Sequence, residues 1–191
     1  MIFLSHSEKD KKFVYRVFSI LYRLKLEPFM YEEYPDFGEN IPLNIKKNIK
    51  NCDYFVVFLT KSGVSSQWVN QEIGIAEAFG KKIIPVQEVK VTSKGFVQLR
   101  NHIKYNPNSP DETIYGLLYK FRPLYNCRTL EIECPVCLED FYMRLHSFER
   151  QIKDKDKGIL WEVICPKRHK SLINPKTLEL YDLKKLKKKK K

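Results

Sequence analysis

The stretch Ser65-Ser66-Gln67-Trp68-Val69-Asn70-Gln71-Glu72-Ile73-Gly74-Ile75-Ala76-Glu77-Ala78-Phe79-Gly80 decides how this chain is read. Its two serines offer N-cap oxygens, and Gly80 followed by Lys81-Lys82 supplies a helix stop with cations that suit the negative end of the helix dipole. The spacing predicts a helix between those signals. At roughly 100° per residue, Trp68, Val69, Ile73, Ile75, Ala76 and Phe79 share one arc, and Asn70, Gln71, Gly74 and Glu77 fall outside it. Glu72 lands inside the apolar arc. An inward carboxylate carries a desolvation cost unless it is paired or opens into a cleft, which makes Glu72 a candidate functional group. Trp68 lies one turn earlier on the same face.

Working outward, Asp53 to Thr60 contains the continuous apolar run Tyr54-Phe55-Val56-Val57-Phe58-Leu59, the pattern of a central parallel strand. On the other side, Ile83-Ile84-Pro85-Val86 reads as a fourth strand whose proline favours an end or an edge. Upstream, Ile2-Phe3-Leu4 is a buried strand running into the polar turn Ser5-His6-Ser7, a candidate ligand loop. Lys11 to Leu26 has helical apolar spacing, Pro28 to Tyr31 is a second short strand, Glu32 to Pro42 is a turn-rich loop, and Leu43 to Asn51 is again helical. Val97 to Tyr105 holds a short helix and a last strand near Ile103-Lys104-Tyr105, and Thr113 to Phe121 is helical. Alternating strands and helices imply an α/β fold, a parallel sheet with helices on both faces. Ligands then bind at the carboxyl ends of the strands, where Ser5 to Ser7, the Asp36 loop and the Ser65 turn converge.

The chain has 191 residues, 43% of them hydrophobic, enough for one ordinary domain and a small appendage. Met1 leads directly into Ile2-Phe3-Leu4 without a basic leader, and no stretch approaches the roughly 18 apolar residues of a membrane span, so a cytoplasmic protein is expected. The five cysteines then read as thiols or metal ligands rather than disulfides. The net charge of +12 divides into +5 over residues 1 to 123 and +7 over 124 to 191, most of the latter in the run from Lys184 to Lys191. That run is expected to be a disordered tail, either solubilising or in nonspecific contact with polyanions.

Taken together, Ile2-Phe3-Leu4-Ser5-His6-Ser7, the Pro35 to Asn40 loop after the second strand, and Ser65-Ser66-Gln67-Trp68 with Glu72 resemble the Toll/interleukin-1 receptor (TIR) domain over residues 1 to 122. The resemblance implies a flavodoxin-like fold and one of two activities: signalling by self-association of TIR domains, or cleavage of NAD+ at the nicotinamide–ribose bond. Enzymatic prokaryotic and plant members carry a glutamate in the helix after the Ser-Ser-x-Trp turn, and Glu72 occupies that position. It implies Glu72 as the catalytic residue and Ser5, His6, Asp36, Gly38 and Trp68 as substrate-binding residues, with Asp36 and Gly38 in a loop that in TIR domains both closes over substrate and packs on a neighbour, so that assembly is their alternative role. It also places the protein in a setting of defence signalling.

The chemistry agrees with that assignment. Nicotinamide leaves NAD+ as a neutral molecule because its ring nitrogen already carries positive charge, so the reaction needs no general acid; it needs stabilisation of an oxocarbenium-like sugar, which one carboxylate supplies. Trp68 would stack on the cationic ring. Water or the internal adenine would capture the sugar, giving ADP-ribose or a cyclic product. The seven glycines show no G-x-G-x-x-G spacing, so NAD+ is expected as substrate and not as a hydride carrier.

Beyond Pro123 the pattern changes. Cys134-Pro135-Val136-Cys137 presents two thiolates to one tetrahedral ion, and Cys165 with His169 can supply the other two ligands. Residues 123 to 183 are thus expected to form a zinc-ribbon-like module around a structural Zn2+, with His146 or Cys127 as substitute ligands. Such a module with a lysine tail would bind nucleic acid, sense a partner, or only extend the TIR domain.

Overall fold

The computed structural model describes residues 1–31, 41–93, 95–98 and 100–183. Its strands form where the sequence is most apolar. The first unit comprises residues 1–22 and 26–113. Strands β1 (Ile2–Ser5), β2 (Pro28–Phe29), β3 (Tyr54–Leu59), β4 (Lys82–Glu88) and β5 (Ile103–Tyr105) make a parallel sheet in the order β2-β1-β3-β4-β5. This is the doubly wound order of the flavodoxin type, with its topological switch between β1 and β3.

Helix α1 (Lys11–Arg23) follows a short 3-10 turn at Glu8–Asp10; α2 (Ile41–Asn51) and α3 (Gln67–Ala78) follow β2 and β3. One face of the sheet, carrying Phe3, Phe29, Phe55, Val57, Leu59 and Ile83, packs with Ile45 and Ile49 of α2 and Val69, Ile73 and Ala76 of α3. Phe3 stacks between Phe29 and Phe55 at 5.3 and 5.4 Å between ring centroids, so an aromatic row ties β2, β1 and β3 together. On the opposite face, Phe13 at the start of α1 meets Phe58 edge-on at 5.9 Å.

Three local readings shift. The loop expected through Pro42 yields to α2 from Ile41, because a proline in the first helical turn forfeits only an N–H that has no intrahelical partner. β4 is an interior strand, yet β5 pairs with it only from Val86 onward, so Pro85 lies on a stretch whose outer side needs no amide donor. The helix reading over Lys11 to Leu26 ends at Arg23, and Lys25 and Glu27 adopt positive φ before β2.

α3 is bounded as its sequence requires. Ser66 accepts from the Val69 amide at 3.4 Å, while Gly80, at φ +62°, donates to the Glu77 carbonyl and Lys81 donates to Ala76, both at 2.9 Å. That pairing is a Schellman stop.

The second unit comprises residues 23–25 and 114–191. Helix α4 (Pro110–Leu124) begins in the first unit and ends in the second; after it come the hairpin β6 (Thr129–Glu133) and β7 (Asp140–Arg144), helix α5 (Phe148–Asp156), and the antiparallel sheet of β8 (Trp161–Ile164), β9 (Lys170–Ile173) and β10 (Leu180–Asp182). Arg122 is buried here, donating to the Gln151 side chain and, at 3.0 Å, to the His146 carbonyl, while its guanidinium lies 4.5 Å from the Phe148 ring centroid. Gln151 in turn donates to the Pro175 carbonyl at 2.6 Å.

The β9–β10 turn, Asn174-Pro175-Lys176-Thr177-Leu178-Glu179, repeats the β6–β7 turn, Cys134-Pro135-Val136-Cys137-Leu138-Glu139. In both, the first residue donates to the sixth and its carbonyl accepts from the fifth, a leucine at φ of 57° or 59°. No helix among the described residues is long and apolar enough to cross a membrane. The segment from Lys184 to Lys191 lies outside the described residues.

A Cβ at Gly63, in the turn between β3 and α3, would sit 2.1 Å from the Phe58 carbonyl oxygen. Gly63→Ala is therefore expected to destabilise the first unit by about 1–3 kcal/mol, measured as a lower urea midpoint; an unchanged midpoint would contradict the packing described.

Candidate active site

The crevice at the β1/β3 switch point is built from four segments. β1 delivers Phe3 and Leu4 and then the turn His6-Ser7-Glu8; Tyr31 follows β2; Ile41 and Ile45 come from α2; Ser66, Trp68 and Glu72 come from the start of α3. They enclose about 370 Å³, within the range of roughly 300–1,000 Å³ common for small-molecule sites. Among the described lining residues the two charged side chains, Glu8 and Glu72, are both acidic.

Glu72 is 8% exposed and opens into this cleft. Its Oε2 accepts a hydrogen bond from the Ser5 hydroxyl at 2.5 Å. Ser5 itself is 1% exposed and stands behind the carboxylate, off the cleft wall. His6 lines the cleft, and its Nδ1 is 3.2 Å from the Leu4 carbonyl, an acceptor, so that nitrogen carries the proton.

Trp68 departs from its expected place on the buried face of α3: it is 53% exposed. It belongs to the first turn of α3, where its neighbour Val69 takes the buried position. It forms cleft wall instead of core. Asp36 and Gly38 fall outside the described residues.

The two turns flanking the cleft are tied together. Asp10 Oδ2 accepts from the Ser7 hydroxyl at 2.5 Å and from the Thr60 hydroxyl at 2.7 Å, and Thr60 Oγ1 accepts from the Gly63 amide at 2.9 Å. The turn after β1 and the turn after β3 thus hold one geometry. Tyr31, Glu8 and the Asp10–Thr60 bond were not singled out from sequence. Tyr31's signal was its position at the end of β2, since residues just past the strand ends of such a sheet form the ligand crevice.

In the second unit, Cys134, Cys137, Cys165 and His169 bring four donor atoms within 4.8 Å of one another. Cys165 Sγ to His169 Nδ1 is 3.5 Å, Cys134 Sγ to His169 Nδ1 is 3.8 Å, and Cys137 to Cys165 is 4.0 Å between sulfurs. Tetrahedral ligands on bonds of about 2.0–2.3 Å stand roughly 3.3–3.8 Å apart, so a modest contraction of this donor set would hold a zinc-sized ion. Burial alone would raise the Cys134 thiol, but the amides of Cys137 and Val136 and the neighbouring thiols of Cys137 and Cys165 outweigh it and bring it down to about 6, whereas, against the Glu139 amide, the contacts with Cys134 and Cys165 push the Cys137 thiol up. His146 stands apart, edge-on to Trp161 at 4.6 Å, and Cys127 lies 3.7 Å from the Leu24 carbonyl; neither joins the cluster. All five cysteines are free thiols, and burial pushes Cys52 up to about 11.

Residues 2–117 match the TIR domain family. The chain belongs to that family. Among solved structures, the TIR domain of the Toll-related receptor TRR-2 from Hydra magnipapillata superposes with a TM-score of 0.53 at 15% identity, covering 66% of this chain and 97% of that one. This likeness is one of fold. A CMP N-glycosidase from Clostridium botulinum gives a TM-score of 0.42 at 24% identity, covering 65% of this chain and 98% of that one. No curated protein matches the chain.

Proposed function

We propose that this TIR domain is an NAD+ glycohydrolase. The observation that carries the reading is Glu72, a buried carboxylate opening into the crevice at the switch point of the sheet, one helical turn from Trp68. The C1′–N bond breaks with its electron pair passing to the nicotinamide ring nitrogen, so nicotinamide leaves neutral and no proton is required. Positive charge then develops on the ribose ring, and Glu72, itself buried, stabilises it more strongly than a carboxylate in bulk solvent would. Water adds to C1′ and releases a proton to solvent, giving ADP-ribose; attack by the internal adenine gives the cyclic product.

Two further features support this substrate. The described charged groups of the cleft, Glu8 and Glu72, suit a cationic ring better than a neutral one. Trp68 presents an exposed aromatic face on which that ring can stack. His6 and Ser7, also on the cleft wall, are placed to meet the ribose or its phosphates. Self-association through the TIR domain accompanies the proposal, with the open groove lined by Gly74, Ile75, Ala78 and Phe79 of α3 and its C-cap as the surface for it.

The same proposal assigns a structural Zn2+ to Cys134, Cys137, Cys165 and His169. It would close two hairpin turns on each other in a unit with a small core. Over residues 124–183 acidic and basic side chains balance, so the folded part of this unit offers no net positive charge for nucleic acid.

Glu72→Gln is expected to lower nicotinamide release from NAD+ by about a hundredfold or more, and Trp68→Ala to raise KM by about tenfold. No release by the native protein at high concentration, or full activity in Glu72→Gln, would refute the enzyme. Metal analysis of the purified chain is expected to find one zinc per molecule, lost in Cys137→Ser. Chelation should lower the melting temperature of the native protein and leave that of the variant unmoved. A metal-free native protein of unchanged stability would refute the zinc site.

A further inference from the structure

We propose that Ser5 is the positioning residue of the reaction, holding Glu72 ionised and aimed, and does not itself touch NAD+. The inference rests on the glycohydrolase reading above. A serine hydroxyl has one proton, and that of Ser5 is committed to Glu72 Oε2 at 2.5 Å. With 1% exposure and no place on the cleft wall, Ser5 is screened from any ligand in the crevice by the carboxylate it supports.

Its own position is fixed by the strand that carries it. Ser5 is the last residue of β1 and pairs in register with Val57 of β3, while Phe3 and Ile2 of the same strand pair with β2 as well as β3. The hydroxyl therefore projects from the end of a strand that is hydrogen-bonded to both its neighbours. α3 is anchored separately, by its Ser66 cap and by Val69, Ile73 and Ala76 in the core. The Ser5–Glu72 hydrogen bond joins the two elements at the point where the chemistry needs a fixed carboxylate.

A donor bonded to the charged form of a carboxylate favours that form. It also removes rotamer freedom that Glu72 would otherwise spend in orientations useless for meeting the sugar. Both effects act on the transition state more than on the bound substrate. Loss of Ser5 therefore reduces turnover rather than binding.

Ser5→Ala is expected to lower kcat for nicotinamide release by about 10- to 100-fold, the value of a hydrogen bond to a charged group, with KM changed less than about threefold. Ser5→Thr, which restores the hydroxyl, is expected to recover most of kcat. Thermal melting of both variants separates these outcomes from loss of the fold. A raised KM with unchanged kcat would make Ser5 a substrate contact and overturn the proposal, as would full activity in a folded Ser5→Ala.

A second measurement stands without catalysis: carbon NMR titration of the Glu72 carboxyl in the native protein and Ser5→Ala. Among the described residues, the other titratable groups lining the cleft, His6, Glu8 and Tyr31, are the same in both. A midpoint moved to higher pH in Ser5→Ala is expected, and an unmoved midpoint overturns the proposal. If the native protein releases no nicotinamide, the glycohydrolase reading fails, while this titration still decides whether Ser5 holds the carboxylate.

Discussion

The structure depends on the pairing of β1 on both its edges. Because β1 sits between β2 and β3, the crossover through α1 runs one way along the sheet and the crossovers through α2 and α3 run the other. Right-handed connections then place α1 on one face and α2 and α3 on the opposite face. The chain ends leaving β1 and β3 diverge, and a crevice opens between them that no side chain of the sheet fills. Everything assigned to the site follows from that opening: the His6-Ser7-Glu8 turn leaves β1, Trp68 and Glu72 enter from α3, and Tyr31 closes the side next to β2. The hydrogen bonds from Ser7 and Thr60 to Asp10 keep the two diverging turns from moving independently.

Much of this was legible in the residues because several signals agreed. Tyr54 to Leu59 could only be a strand buried on both faces, and Ser66 and Gly80 cap α3 from both ends as their types require. Glu72 was found because it broke an apolar pattern, and a residue that conflicts with its local surroundings often marks function. Trp68 shows the limit of the same reasoning. Helical periodicity groups Trp68 with Val69 and Ile73, but it does not show which member of the arc the core takes up. Val69 is fully buried, and the Trp68 indole is left on the cleft wall. The Asp10–Thr60 bond joins residues 50 positions apart, and no local pattern encodes such a pairing.

The second unit teaches a related lesson about turns. Cys134 to Glu139 and Asn174 to Glu179 share proline, leucine and glutamate at matching positions and the same backbone hydrogen bonds. In the second of them Asn174 Oδ1 accepts from the Lys176 amide at 2.8 Å, and Thr177 donates to Glu179 at 3.1 Å, so side-chain hydrogen bonds stand where the first turn has cysteines. The turn shape is thus a property of the backbone sequence, and the cysteines add potential metal donors to a turn that forms without them. Cys-x-x-Cys announced the first half of that set in the sequence; the Cys165 to His169 half is one residue shorter between its backbone bonds, and only the folded hairpins bring the four donors together.

The most direct test is a crystal structure of the protein with a non-hydrolysable carbocyclic analogue of NAD+. The nicotinamide ring is expected against the Trp68 indole, the ribose hydroxyls on Glu72, and Ser5 still bonded behind the carboxylate. An analogue bound elsewhere on the domain, or a Glu72 side chain turned away from the crevice to serve another group, would contradict that arrangement.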